Sequence, residues 1–170
     1  MQLLLLAFAV GLVSAHDHID PSEVSGDWHT ISLAADNFEK IDGNGPLQIY
    51  LRHLECKEEC KKLALRFYAK ANGQCQEFNR VGVLDEEKGV YVAEYAGKNF
   101  FEIIAQKDDV LAFFNHNIDE EGKETNVITV VGKRDSLTEE EKQKLVKVAE
   151  EKGIPKENIR HVAETDTCPE

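Results

Sequence analysis

Four cysteines carry the most reactive side chains of this 170-residue chain, and two of them, Cys56 and Cys60, stand close together in the stretch LECKEEC. Thiols so spaced serve as a redox pair, as half of a metal site or as a covalent staple. Zinc would need two more Cys or His ligands at short spacing, and His53 is the only nearby candidate. A redox pair calls for two residues between the thiols beside a βαβ pattern, whereas here three intervene and the pattern is missing. The staple is the reading that remains.

The compartment agrees. Residues 1–15, MQLLLLAFAVGLVSA, carry no charge and are apolar almost throughout, too short a run to span a bilayer, with Val13 and Ala15 small where a signal peptidase needs them. They read as a signal peptide cut before His16, which leaves residues 16–170 as one exported domain. In an oxidising compartment an even count of cysteines is first of all a disulfide framework, and four cysteines allow three pairings. Four residues of extended strand span about 13 Å while bridged Cα atoms lie within about 7 Å, so Cys56 reaches Cys60 only if the chain turns at KEE. With that bridge made, Cys75 is left with Cys168, a closure that removes about 4 to 5 kcal/mol of unfolded-state entropy in the simple loop model.

No catalytic constellation assembles from the rest. His29, His53, His116 and His161 are scattered, there is no Gly-x-Ser-x-Gly elbow and no phosphate-cradling glycine loop. The acidic clusters read as solvated charge, so no enzyme activity and no cofactor is expected. After removal of the leader, a free amine with His16, Asp17 and His18 has the nitrogen set that suits Cu(II) or Ni(II). A polar tail is the preferred reading of that stretch, with no metal centre in the chain. A net charge of −12 argues against nucleic acid and anionic membrane as partners. No later apolar run is long enough for membrane insertion.

Short runs with apolar residues at every second position, separated by Gly, Asn, Asp and charged clusters, predict antiparallel strands. In PLQIYLRHL, Leu47, Ile49 and Leu51 share one face against Gln48 and Arg52; in KLALRFYAK, Leu63, Leu65 and Phe67 oppose Lys62 and Arg66. A turn at KEE makes these two a hairpin, consistent with the staple. WHTISLA, CQEFNRVGVL, GVYVAEY, NFFEIIAQ, VLAFFNHN and TNVITVVG complete eight strands at the spacing of a sandwich or barrel. The period then changes in SLTEEEKQKLVKVAEEKGIP. Thr138 with Glu141 forms a capping box, Leu145, Val148 and Ala149 share a face, and Gly153 with Pro155 stops the helix. A short strand in NIRHVAE precedes the tail. The expected fold is all-β, an eight-stranded antiparallel up-and-down barrel with one C-terminal helix packed on its side. Such a barrel is wide enough inside for one small ligand.

At SGDWHTI, Gly26 and Trp28 resemble the Gly-x-Trp signature that opens the first strand of the lipocalins. The stretches AADNFEKI, GPLQIY, DEEGKETN, IPKENI and TDTCPE are similar to the odorant-binding and aphrodisin-like subgroup, which is related to several mammalian allergens. Cys56 and Cys60 match that subgroup's Cys-x-x-x-Cys motif. The resemblance implies a secreted β-barrel carrier of small hydrophobic volatiles, odorants or pheromones, with no chemistry on the ligand. A second function class is a protein chemosignal whose own surface addresses a chemosensory receptor. The resemblance is compatible with a monomer or a weak homodimer.

By motif position, the resemblance places the cavity wall at Leu47, Ile49, Leu51, Leu65, Phe67, Ala93, Tyr95, Asn99, Phe101, Phe113, Asn115, Val127 and Thr129. Of its polar members, Asn115, Asn99 and Tyr95 are expected to face the cavity, able to bond a ligand, one another or a trapped water. Trp28 is expected to plug the closed end. The family's Arg after the glycine that ends the last strand is replaced by Lys133, with Arg134 one place on, and Lys133 is expected to lie over the indole. The acidic and aromatic pair of the family's seventh strand is altered to NHN, at Asn115 to Asn117.

Overall fold

The computed structural model describes residues 19–170. The expected leader and the His16-Asp17-His18 motif lie outside the described residues. Ten strands follow one another: β1 (Gly26–Asp27), β2 (His29–Ala35), β3 (Tyr50–Lys57), β4 (Lys62–Ala71), β5 (Gln74–Asp85), β6 (Val90–Glu94), β7 (Lys98–Gln106), β8 (Val110–Ile118), β9 (Glu124–Gly132) and β10 (Ile159–His161). One helix, α1 (Glu139–Glu151), lies between β9 and β10. All pairings are antiparallel, in the order β1-β3-β4-β5-β6-β7-β8-β9-β2-β10. The eight predicted strands are β2 to β9.

Closure comes from the first strand. β1 and β2 are one segment interrupted at Trp28. β1 pairs with β3, with Gly26 opposite Leu54, while β2 pairs with β9, with His29 opposite Gly132. One segment therefore joins both ends of the meander, and the curled sheet has no long free edge there. Trp28 N–H donates to Arg52 O at 3.0 Å across the interruption.

Turn chemistry sets the registers. Asn72 and Gly73, both at positive φ (53° and 76°), join β4 to β5 in the turn that suits a two-residue hairpin. At the β3–β4 turn Glu58, Glu59 and Cys60 all adopt left-handed φ values of 52°, 58° and 64°. Three such residues in a row without glycine are costly. The Cys56–Cys60 disulfide, with Cα atoms 4.5 Å apart, spans this turn and holds it. Tyr91 Oη beneath it donates to Cys60 O at 2.6 Å. The second bridge joins Cys75 on β5 to Cys168 in the tail.

Helix α1 begins with the predicted capping box: Thr138 Oγ1 accepts from Glu141 N–H, and Glu141 Oε1 accepts from Thr138 N–H. Leu145 and Ala149 bury against Ile31, Ile128 and Val130 on the outside of the barrel. Gly153, at φ +77°, ends the helix, and Ile154 N–H caps Ala149 O.

Two details depart from the pattern read along the chain. β3 starts at Tyr50, so Leu47 and Ile49 belong to the preceding loop, where Leu47 N–H donates to Lys40 O and Gln48 N–H to Gly45 O. The alternation continues past the strand because loop residues also pack over the barrel mouth. Arg52, expected on a polar face, is only 3% exposed. The tail covers it: Arg52 forms a two-pronged pair with Asp166 at 2.7 Å and donates to Pro169 O and Cys168 O.

Candidate functional site

Inside the barrel lies a cavity of about 90 Å³. Leu51, Leu65 and Phe67 project into it from β3 and β4, Ala93 from β6, Asn99 and Phe101 from β7, Phe113 and Asn115 from β8, and Val127 and Thr129 from β9. Leu47 and Ile49 reach it from the β2–β3 loop, and Tyr95 from the β6–β7 turn. All thirteen positions named from the sequence are thus brought to one space, together with Arg80 of β5 and Val131 of β9, which the sequence reading left out. A larger groove of about 510 Å³ lies outside, between α1 and the barrel, with Lys107, Glu141, Lys144, Glu151 and Lys152 on its wall. The internal cavity is the smaller space, but its apolar wall suits capture of an apolar molecule.

Aromatic side chains shape the interior. Phe67 and Phe78 stack at 5.5 Å, and Tyr95 meets both edge-on at 4.9 and 5.0 Å. Phe101 stacks on Tyr91 and meets Phe113 edge-on. Gly82 makes room for this, because a Cβ there would fall 2.7 Å from Phe101 Cζ and 3.1 Å from Tyr91 Cβ.

The polar members form a directed chain. Asn99 Nδ2 donates to the carbonyls of Tyr95 and Ala93, which fixes Asn99 Oδ1 as an acceptor. Asn115 Nδ2 at 3.0 Å and Asn117 Nδ2 at 2.9 Å both donate to it. The oxygens of Asn115 and Asn117 are thereby turned away and are buried without a partner among the described residues. An unmet buried acceptor costs about 1 to 3 kcal/mol, which a ligand donor relieves. The Tyr95 hydroxyl donates to Pro46 O at 2.6 Å, which commits its proton and leaves its oxygen as an acceptor, and burial pushes its phenol up to about 12.

The β2–β3 loop is tied across the same end of the barrel. Tyr95 holds Pro46, Lys40 Nζ pairs with Asp119 of the β8–β9 turn at 2.8 Å, and Gly73 N–H donates to Asn44. The Lys40 ammonium is the main cause that lowers the Asp119 carboxyl.

At the other end, Trp28 is buried to 3% exposure and its indole N–H donates to Val24 O at 2.8 Å. Lys133 Nζ sits 4.1 Å from the Trp28 ring centroid and bonds Asp27 O. Gly26 adopts φ +141°, a conformation that favours glycine, and a Cβ there would lie 3.2 Å from Lys133 Nζ. Arg134 is engaged elsewhere, with Asp109 and with Glu141 of α1.

A closed antiparallel barrel, a Gly-x-Trp pair with a cation over the indole and one flanking helix are now in place, and the family model described as lipocalin / cytosolic fatty-acid binding protein matches residues 25–166. The chain belongs to this family. Among relatives, the lipocalin chain is 45% identical to a male-specific submandibular salivary gland protein of Mesocricetus auratus, over 99% of this chain and 98% of that protein. It is 42% identical to aphrodisin of Cricetus cricetus over 100% and 99% of the two chains. The solved structure of odorant-binding protein OBP1 superposes with a TM-score of 0.85 at 47% identity, covering 91% of this chain and 99% of that one. Bovine odorant-binding protein in complex with undecanal gives 0.64 at 31% identity, covering 90% and 97%.

Proposed function

We propose that this lipocalin is a secreted carrier that binds small hydrophobic molecules reversibly in its barrel, among them odorants or pheromones. The observation that carries the reading is the internal cavity, whose lining is apolar apart from a few side chains. The similarity to an odorant-binding protein in complex with undecanal supports the ligand class. The apolar leader and the two disulfides support export. Binding is proposed without chemistry on the ligand, and Leu51, Leu65, Phe67, Phe101, Phe113, Asn115 and Thr129 are proposed as contacts.

The test is displacement of a neutral fluorescent apolar probe from the oxidised protein by a panel of medium-chain alcohols, aldehydes, ketones, a retinoid and a fatty acid. Saturable binding at micromolar levels with displacement by the smaller compounds is expected. A folded protein that takes up no probe would overturn the carrier and move the signal to the protein's own surface.

A further inference from the structure

The inner face of β5 carries a charge. In register with β4, Phe78 lies opposite Phe67, Arg80 opposite Leu65 and Gly82 opposite Leu63, so these three share the inward side. The outward side carries Val81 and Val83, exposed at 46% and 50%. This inverts the usual arrangement, in which valine faces in and arginine out. Among the described residues that line the cavity, Arg80 is the only charged one.

Among the described residues the guanidinium has no acid partner. Arg52, Arg66 and Arg134 each hold a carboxylate; Arg160, outside the cavity lining, bonds only carbonyls, and among the described residues Arg80 likewise donates only to two carbonyls, Glu94 O from Nε at 3.0 Å and Asn79 O from Nη1 at 2.9 Å. An arginine has five N–H donors, so Nη2 and one hydrogen of Nη1 remain uncommitted to protein. The plane is nevertheless held, with Cζ 5.3 Å from the Phe78 centroid and 5.7 Å from that of Tyr95. A fork fixed by aromatic neighbours loses little freedom when it takes a carboxylate.

Its position suits a head group. β5 and β6 pair only from Val83 to Asp85, opposite Val92 to Val90. Arg80 lies beyond that ladder, and its bond to Glu94 O crosses the opening between the two strands. The partly buried side chain therefore borders the apolar cavity on one side and water on the other. An anionic head placed there stays partly hydrated while its tail enters the barrel, which avoids the cost of burying a bare charge.

We propose that Arg80 makes the cavity selective for ligands with a carboxylate head and a short to medium aliphatic tail. The inference rests on the carrier reading and narrows it. The experiment uses the oxidised full mature chain, a neutral fluorescent naphthylamine probe and three competitors of one chain length: octanoic acid, methyl octanoate and octanol. The acid is expected to displace the probe at about one tenth of the ester's concentration, the scale of one charge-assisted hydrogen bond. Arg80→Met is expected to lower the ratio of acid affinity to ester affinity from about ten to one or below. The ratio is the readout, so a change of cavity shape that affects both competitors alike leaves it unmoved.

An acid that binds no tighter than its ester in the unaltered protein, or a preference that survives Arg80→Met, would overturn the proposal and leave Arg80 as a strut in the wall. The first comparison needs no variant. Failure of the carrier reading looks different: the probe itself, the ester and octanol would then all fail to bind.

Discussion

Asn115 Nδ2 donates to Asn99 Oδ1 at 3.0 Å, and this one bond decides which end of the Asn115 amide is left without a partner. Because Asn99 is oriented by the carbonyls of Tyr95 and Ala93, neither amide can turn over without setting like atoms against each other.

The first prediction follows from that polarity. Asn115 Oδ1 accepts, so a ligand hydroxyl gains a bond that a carbonyl oxygen cannot make, while the spare N–H of Nδ2 serves both. An alcohol is expected to bind about three- to tenfold tighter than the aldehyde of equal chain length, and Asn115→Leu is expected to abolish the difference. Competition assays with matched pairs measure it. Equal alcohol and aldehyde affinities in the unaltered protein would remove Asn115 from the site.

Gly82 sets the room available to Phe101. Gly82→Ala places a methyl where the Phe101 ring edge now lies, and the ring has to tilt toward the cavity. Affinity for branched or cyclic ligands is expected to fall while that for slender chains changes less, with a stability loss of about 1 to 3 kcal/mol for the added bulk. Phe101→Trp is expected to act in the same direction. Unchanged selectivity in both variants would place Phe101 away from the ligand.

The Cys75–Cys168 bridge closes 93 residues of chain and fastens the tail that covers Arg52. Cys75→Ser with Cys168→Ser is expected to cost about 4 to 5 kcal/mol in the loop-entropy model, seen as a clearly lower melting temperature. Hydrogen exchange at Asp166 and Cys168 is expected to speed up. An unaltered melt would mean that the Arg52–Asp166 pair alone holds the tail.

Acid sensitivity is expected at the root of the helix. The Arg134 guanidinium, followed by the Thr138 N–H and Lys107, holds the Glu141 carboxyl well below the usual carboxylate range, against a smaller opposing effect of burial. A folded value below the unfolded one means that the stabilisation is full above about pH 4.5 and fades as pH falls through the folded value. Glu141→Gln is expected to lower the melting temperature at neutral pH and to flatten its decline in acid. A parallel decline in both proteins would show that other carboxylates govern acid unfolding.

Much of this protein is legible along the chain, because its two periods are strong. Alternation every second residue marks β2 to β9, and the Thr138–Glu141 box with Leu145 and Ala149 marks α1. Local chemistry also settles the turns, with Asn72–Gly73 and the cysteine-spanned KEE stretch each a matter of a few neighbouring residues. Only the closed barrel decides the rest. Period two divides a strand into two faces without saying which is inside, and on β5 the register with β4 turns Arg80 inward and both valines out. Arg52 becomes buried because a tail more than a hundred residues away folds over it. The orphaned oxygens of Asn115 and Asn117 exist because these two amides of β8 both donate to one acceptor, the Asn99 oxygen of β7. Such features depend on pairing between strands and on packing of the tail, which place side chains that no local pattern relates.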